Sequence, residues 1–148
     1  MNLFFDTSAL VKYFHQEAGS QDVAALIDQA DNQIWVSDLA RIEFLSVLYR
    51  KIREAALDSA GLEEAMVGFE EEWKRFHVQP LGHVVVAEAE RLLQACGGEF
   101  RLRTLDALQF ASFSLIAETD WSFVVADATL AATVTSQGYS VLQVGLPV

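Results

Sequence analysis

Two short apolar runs, each ended by an aspartate, are the features that most constrain the fold of this chain. Residues 3–5 lead into Asp6, and residues 123–126 lead into Asp127. Apolar runs of this length, rich in aromatic and β-branched side chains, predict buried strands. After the first run, Thr7 and Ser8 can cap a helix, and apolar residues follow at helical spacing. An acid therefore lies at the carboxyl end of two predicted strands, which is where open α/β sheets bind ligands.

Helices and strands are predicted to alternate along the rest of the chain. After the helix that follows Asp6, the predicted elements are a helix capped by Ser20, a strand at 34–36, a helix opened by Ser37 and Asp38 and ending near 53, a helix opened by Asp58 and Ser59, a strand or connector at 78–81, a helix at 83–96, a helix capped by Thr104 and ending near 118, the strand at 123–126, a helix at 129–137 and a strand at 141–144. This alternation predicts one α/β domain over residues 1–148, with a central parallel sheet between two layers of helices.

Composition narrows the class of protein. Apolar residues make up 52% of the chain, so a folded core is expected. No apolar run approaches the roughly 20 residues that cross a bilayer, and Asp6 interrupts any signal peptide, so we expect a cytoplasmic protein with no membrane segment. The single Cys96 suits a reducing compartment. A net charge of −11 argues against broad adhesion to nucleic acid, but bound divalent cations would reverse the local sign at an acidic pocket.

Four carboxylates interrupt otherwise apolar segments. Asp6 and Asp127 end strands, Asp106 lies in the first turn of a predicted helix, and Glu43 lies in the second turn of a helix that directly follows a strand. In a parallel α/β fold, strand ends and helix starts share one edge of the sheet, so all four side chains are expected to converge on one pocket. Each acid taken alone is explained as readily by helix capping or by a turn.

Converging acids predict a cation site, because crowded carboxylates repel one another unless a cation neutralises them. Oxygen ligands suit Mg²⁺ or Mn²⁺, whereas zinc favours His and Cys. The chain has three histidines, and no two of them are spaced to share one helix face. Magnesium held by carboxylates typically serves phosphoryl chemistry.

The residues around these acids resemble the motifs of a known family. The segments are Asp6-Thr7-Ser8-Ala9-Leu10-Val11-Lys12, Ser37 with Glu43, Thr104-Leu105-Asp106-Ala107, and Phe123-Val124-Val125-Ala126-Asp127. Their order resembles that of PIN-domain nucleases, and the length of the chain matches VapC-type toxins of bacterial and archaeal toxin–antitoxin pairs. The resemblance runs from residue 2 to about residue 144. One position departs from it: Val125 stands where the family often has Thr or Ser, which leaves Asp127 the least supported of the four acids.

The resemblance implies a Mg²⁺- or Mn²⁺-dependent endoribonuclease of the toxin class. The implied metal-binding and catalytic acids are Asp6, Glu43, Asp106 and Asp127. Ser8 and Thr104 would orient carboxylates or bound water, although helix capping explains both hydroxyls equally well. Lys12 matches a basic position that would contact a phosphate; a solvent-facing lysine is the alternative.

The resemblance also implies an RNA substrate, a cognate antitoxin protein and a homodimer. The helix at 39–52 and a stripe of Leu62, Met66, Phe69 and Trp73 are too apolar to be left wholly in water. They either pack on each other or form the dimer contact and a groove for an antitoxin segment. The candidate RNA contacts, which a solvated surface explains as readily, are Arg50, Lys51, Arg53, Arg101 and Arg103.

Other acidic α/β sites fit less well. A haloacid-dehalogenase-like phosphatase needs a second Asp two residues after the first, where this chain has Ser8. A receiver domain needs a late lysine, and none follows Lys74. The glycine-rich turn of dinucleotide sites and the G-x-S-x-G elbow of serine hydrolases are absent. The remaining alternatives are a phosphatase of another acidic-site family and a catalytically silent PIN-like module that binds protein, although such a module has no need of unpaired acids in apolar segments.

Overall fold

A five-stranded sheet, parallel throughout, forms the centre of the computed structural model, which describes residues 1–145. The strands are β1 (Asn2–Phe5), β2 (Gln33–Ser37), β3 (His77–Gln79), β4 (Ser122–Val125) and β5 (Ser140–Gln143). They lie in the order β3-β2-β1-β4-β5. The direction of strand addition therefore reverses between β1 and β4, and this reversal opens a crevice at the carboxyl ends of those two strands.

Helices connect the strands and cover the sheet. Within residues 1–145 they are α1 (Thr7–Leu10), α2 (Ser20–Asp28), α3 (Leu39–Arg53), α4 (Ser59–Trp73), α5 (His83–Cys96), α6 (Thr104–Ser114) and α7 (Ala128–Ser136). A 3₁₀ turn over Val11–Tyr13 continues α1. None of the helices in the described part of the chain is both long and apolar enough to cross a bilayer.

Strand β1 contributes to two separate cores, because neighbouring side chains on a strand point to opposite faces. Leu3 and Phe5 pack in one buried cluster, and Phe4 packs in the other. Helical residues of the first cluster come from α1 to α4 and include Leu10, Val23, Ile27, Phe44, Leu48 and Phe69. Those of the second come from α5 to α7 and include Val85, Leu92, Phe110, Phe113, Leu130 and Val134. The predicted three-layer arrangement is thereby confirmed.

Two helices begin as the sequence predicts. The Ser37 hydroxyl accepts a hydrogen bond from the Leu39 amide at 3.1 Å, at the start of α3. The Asp58 carboxylate accepts one from the Gly61 amide at 2.7 Å and caps α4. These caps satisfy amide groups that the first turn of a helix leaves unpaired.

The other predicted caps are wrong. Asp6, and not Thr7 or Ser8, is the N-cap of α1. Thr104 is the first residue of α6, after an N-cap at Arg103 that makes no side-chain bond, and Thr104 is exposed. Ser20 likewise begins α2 after an N-cap at Gly19. Gly19 has a φ of 91°, in the left-handed region that glycine adopts without strain. The Ser20 hydroxyl instead accepts from the Glu17 amide at 2.9 Å and holds the loop before α2.

Several boundaries differ from those predicted. The helix after Asp6 is a single α-turn that continues as a 3₁₀ turn, and α6 ends at Ser114, four residues earlier than expected. The segment predicted as a strand or connector is β3, an edge strand. Pro80 follows β3 directly and, having no N–H, cannot extend the pairing.

Candidate active site

The carboxyl ends of β1 and β4 open into a cavity of about 510 Å³. The four predicted acids, Asp6, Glu43, Asp106 and Asp127, all line it. Asp6 follows β1 directly, and Asp127 lies two residues after β4. Glu43 comes from the second turn of α3, and Asp106 from the first turn of α6. The switch point of the sheet thus brings together carboxylates from four distant segments of the chain.

Asp6 is the buried member of the four, with 5% of its surface exposed. As N-cap of α1, its carboxylate accepts a hydrogen bond from the Ser8 amide at 3.1 Å, and the Ser8 hydroxyl donates to the same oxygen, Oδ2. The Ser8 hydroxyl also accepts from the Ala126 amide at 3.0 Å, next to Asp127. Burial raises the pKa of Asp6 to about 7; the Ser8 hydrogen bonds oppose this rise, and the charge of Glu43 adds to it.

Glu43 is held by two buried donors. The Thr7 hydroxyl donates to Glu43 Oε1 at 3.0 Å, and Gln109 Nε2 donates to the same oxygen at 2.6 Å. Burial raises the pKa of Glu43, the hydrogen bonds from Gln109 and Thr7 oppose the rise, and the charge of Asp106 adds to it. The sequence did not single out Gln109. Its one signal was a polar side chain three residues after an acid, in an otherwise apolar helix.

Asp106 and Asp127 line the same cavity, and their charges interact. Burial raises the pKa of Asp106, and the charge of Asp127 raises it further. The Arg103 guanidinium, 4.0 Å from Asp106 Oδ2, opposes the rise. Asp127 Oδ1 accepts a hydrogen bond from the Leu130 amide at 3.0 Å and caps α7. Asp127 therefore both caps a helix and lines the cavity, as Asp6 does.

The other predicted site residues differ in where they lie. Ser8 lines the cavity, whereas Thr104 is exposed and makes no hydrogen bond to any described residue through its side chain. Lys12 Nζ lies 3.3 Å from Glu17 Oε1, and the lysine side chain is only 11% exposed. Val125 is fully buried in the core beneath α5 to α7, so an apolar contact takes the place of the hydroxyl found in the family.

Three basic side chains, which form the basic rim, line the same cavity as the four acids. Arg50 and Lys51 of α3 line the cavity, and Arg103 lines it before α6. Lys51 pairs with Glu17 at 3.1 Å. Arg53 and Arg101 are not part of the lining. A phosphate group entering the cavity would meet cationic side chains contributed by two different helix ends.

The donor set suits a hard divalent cation, although the carboxylates are not gathered around one point. Within residues 1–145, no three Asp, Glu, His or Cys side chains are grouped closely enough to hold a metal ion. The raised pKa values of Asp6, Glu43 and Asp106 reflect burial and mutual repulsion. A cation among them would relieve that repulsion.

Comparison with known proteins identifies the family. The PIN domain family model matches residues 3–133. VapC20 from Mycobacterium tuberculosis, a sarcin-ricin loop cleaving toxin, has a TM-score of 0.70 over 95% of this chain and 98% of its own, at 15% identity. VapBC2 from Rickettsia felis, bound to a promoter DNA fragment, has a TM-score of 0.67 over 97% and 99%, at 11% identity.

DNA-bound VapBC from Salmonella typhimurium matches with a TM-score of 0.62 over 97% of this chain and 98% of its own, at 12% identity. No curated protein matches the chain. At these identities the likeness concerns the fold, and the fold is that of VapC toxins of VapBC pairs. Since the family model covers most of the sequence, the chain belongs to the PIN domain family.

Proposed function

We propose that this protein is a Mg²⁺- or Mn²⁺-dependent endoribonuclease and the toxin of a type II toxin–antitoxin pair. The observation that carries the proposal is the convergence of Asp6, Glu43, Asp106 and Asp127 on one cavity with a basic rim. An acidic floor favours a divalent cation, and a basic rim favours the phosphodiester of the substrate. Membership of the PIN domain family favours a nuclease over a phosphatase of another acidic-site family.

The four acids would hold the cation, which when bound supplies an activated water and neutralises charge on the phosphate. Glu43 Oε1 is occupied by two hydrogen-bond donors, whereas its Oε2 makes no hydrogen bond to the described residues. Asp6 Oδ2 accepts both Ser8 hydrogen bonds, whereas Asp6 Oδ1 accepts none from the described residues. Each of these acids therefore has one oxygen fixed by the protein and one oxygen available to a ligand.

Ser8 is proposed to orient Asp6, because its hydroxyl bridges that carboxylate and the Ala126 amide. Thr104, exposed at the start of α6, would act through a bound water. Lys12 is not part of the cavity lining and would reach a phosphate only after leaving Glu17.

RNA is the proposed substrate, with its backbone contacted by the basic rim. Arg50, Lys51 and Arg103 line the cavity, which supports them over Arg53 and Arg101 as phosphate contacts. Because the net charge is −11, most of the protein surface would repel RNA, and the basic rim is where RNA would bind. Removing one such contact is expected to weaken substrate binding and to reduce its dependence on salt.

An antitoxin segment is the proposed partner of an apolar groove beside the cavity. The groove, of about 260 Å³, lies between α3 and α4 and is lined by Arg41, Ile42, Phe44, Leu45, Met66, Phe69 and Glu70. Ile42 lines both the groove and the acidic cavity and is 68% exposed. An amphipathic segment in the groove could thus place a basic residue among the acids. A homodimer is proposed from Tyr49, which is exposed on α3 outside the groove lining.

Cleavage of an RNA panel by purified protein tests the proposal. We expect cleavage with Mn²⁺ or Mg²⁺, none with EDTA, and loss of activity in Asp6→Asn and Asp106→Asn. Asp120→Asn is the matched control, because Asp120 is exposed in the link between α6 and β4, outside the cavity lining. If the two cavity variants cleave like the wild type, or if no RNA is cut with either metal, the chain is better described as a silent PIN-like binding module.

A further inference from the structure

Helix α6 carries a buried amide whose contacts lead into the acidic cavity. Gln109 is fully buried. Its Nε2 donates to Thr7 Oγ1 at 3.0 Å and to Glu43 Oε1 at 2.6 Å. Thr7 Oγ1 in turn donates to Glu43 Oε1 at 3.0 Å. The three side chains therefore form a closed ring that joins α1, α3 and α6.

The other polar atom of this amide, Gln109 Oε1, is buried and has no hydrogen-bond partner among residues 1–145. Leaving a buried acceptor unpaired costs free energy, and an apolar side chain in this position would avoid that cost. The buried neighbours of Gln109 on α6, Phe110 and Ala111, are apolar. The amide is therefore poorly explained by packing and well explained by the two hydrogen bonds that it donates.

Those two hydrogen bonds converge on one oxygen of one cavity acid. Glu43 Oε1 accepts from both Gln109 and Thr7, while Glu43 Oε2 has no hydrogen bond to the described residues. Glutamate has three rotatable side-chain torsions, so without such contacts its carboxylate would sample several orientations. Two donors fixed on one oxygen also set the direction of the other oxygen.

We propose that Gln109 and Thr7 are positioning residues, which together fix the carboxylate of Glu43 so that Oε2 is presented to a divalent cation. The inference rests on the proposed function for the nature of the ligand. It assigns to a buried amide on α6 a role in a site whose acids come from other segments. Residues of this kind, which orient a ligand without touching the metal, typically change metal affinity by about 10- to 100-fold when they are removed.

The test uses Gln109→Met, which keeps the length of the side chain and removes the donor, and Thr7→Val, which keeps the shape and removes the hydroxyl. Mn²⁺ binding to the full-length chain is measured by calorimetry, and thermal unfolding is recorded in EDTA. We expect each variant to bind Mn²⁺ about 10- to 100-fold more weakly. The double variant should have the same Mn²⁺ affinity as whichever single variant binds more weakly, because Gln109 and Thr7 act through one carboxylate. Thr7→Ser, which restores a hydroxyl, should recover most of the affinity.

Ser112→Ala is the matched control. Ser112 is a fully buried polar residue on the same helix, and its hydroxyl contacts Ser37 Oγ and Leu108 O rather than any of the four acids. Its removal should leave Mn²⁺ affinity unchanged. A merely structural role for Gln109 would lower the unfolding temperature in EDTA without changing Mn²⁺ affinity. Gln109→Met loses two donated hydrogen bonds as well as an unpaired buried acceptor, so the Mn²⁺ affinity, and not the unfolding temperature, decides between the two roles.

The outcomes separate this inference from the proposed function. Wild-type affinity for Mn²⁺ in both Thr7→Val and Gln109→Met overturns the inference, and metal-dependent RNA cleavage by the same variants would leave the nuclease standing. Weaker Mn²⁺ binding in a protein that cuts no RNA supports the positioning role and rejects the nuclease. Absence of Mn²⁺ binding in the wild type overturns both. If Gln109→Met does not fold, the pair Thr7→Val and Thr7→Ser decides.

Discussion

Asp6→Asn is expected to stabilise the metal-free protein above neutral pH. Asp6 is buried, and its folded-state pKa of about 7 lies well above the ordinary value of 3.8. Between these two values the folded chain keeps a proton that the unfolded chain has released. The stability that this proton contributes is fully present below pH 3.8 and is lost as the pH rises toward 7. Asparagine removes the charge and is an equally good N-cap for α1.

The size of the effect follows from the two pKa values. The gap between 3.8 and about 7 corresponds to roughly 4 kcal/mol of unfolding free energy, of which roughly 2 to 3 kcal/mol is lost between pH 5 and pH 8. Burial raises the pKa values of Glu43 and Asp106 too, so the wild type should lose stability over this range from several groups. The difference between the wild type and Asp6→Asn isolates the contribution of Asp6.

Urea unfolding in EDTA, followed by tryptophan fluorescence at pH 5 and pH 8, measures the difference. From pH 5 to pH 8, the free energy of unfolding of the variant should rise relative to that of the wild type by roughly 2 to 3 kcal/mol. Asp58→Asn, which removes the same charge from the exposed N-cap of α4, serves as the control and should follow the wild type. Parallel wild-type and Asp6→Asn profiles would refute the reasoning, and so would a variant less stable than the wild type at pH 8.

Two further predictions each compare a buried or hydrogen-bonded residue with a similar residue that is exposed. Ser8→Ala should lower the free energy of unfolding by about 1 to 3 kcal/mol, because it leaves the Ala126 amide unpaired, whereas Thr104→Ala should change it by less than about 0.5 kcal/mol. Leu48→Ala, at a fully buried position of α3, should cost about 2 to 5 kcal/mol, whereas Ile42→Ala, 68% exposed on the same helix, should cost little. Urea unfolding checks both pairs; equal losses within a pair would contradict them.

The alternation of strands and helices could be predicted from the sequence because it depends on patterns among neighbouring residues. The buried runs at β1 and β4 are short, apolar and ended by a charge, and neighbouring side chains of β1 supply both cores. The position of each acid relative to a strand end or helix start follows from the same patterns. The sheet edge where Asp6, Glu43, Asp106 and Asp127 meet could therefore be predicted before any coordinate was known.

The details that the sequence did not reveal depend on partners distant along the chain, on the course of a loop, or on the exact residue at which a helix begins. Gln109 bonds to side chains 66 and 102 residues away, and nothing local distinguishes it from a tolerated polar residue in an apolar helix. Lys12 pairs with Glu17, five residues later, in the irregular segment before α2, and no periodic pattern specifies the course of that segment. Thr104 has the chemistry of a cap but lies one residue too late to act as one.

The same arrangement connects the stability of this site with its proposed partners. Buried acids raise one another's pKa values, so the metal-free cavity is a place where negative charge is costly. A cation in the cavity would relieve this repulsion, whether it is a divalent metal or the side chain of the proposed partner protein. Since Ile42 joins the cavity to the apolar groove, a peptide could occupy both at once. In the proposed function, one set of carboxylates would then serve both metal-dependent cleavage and its inhibition by the partner.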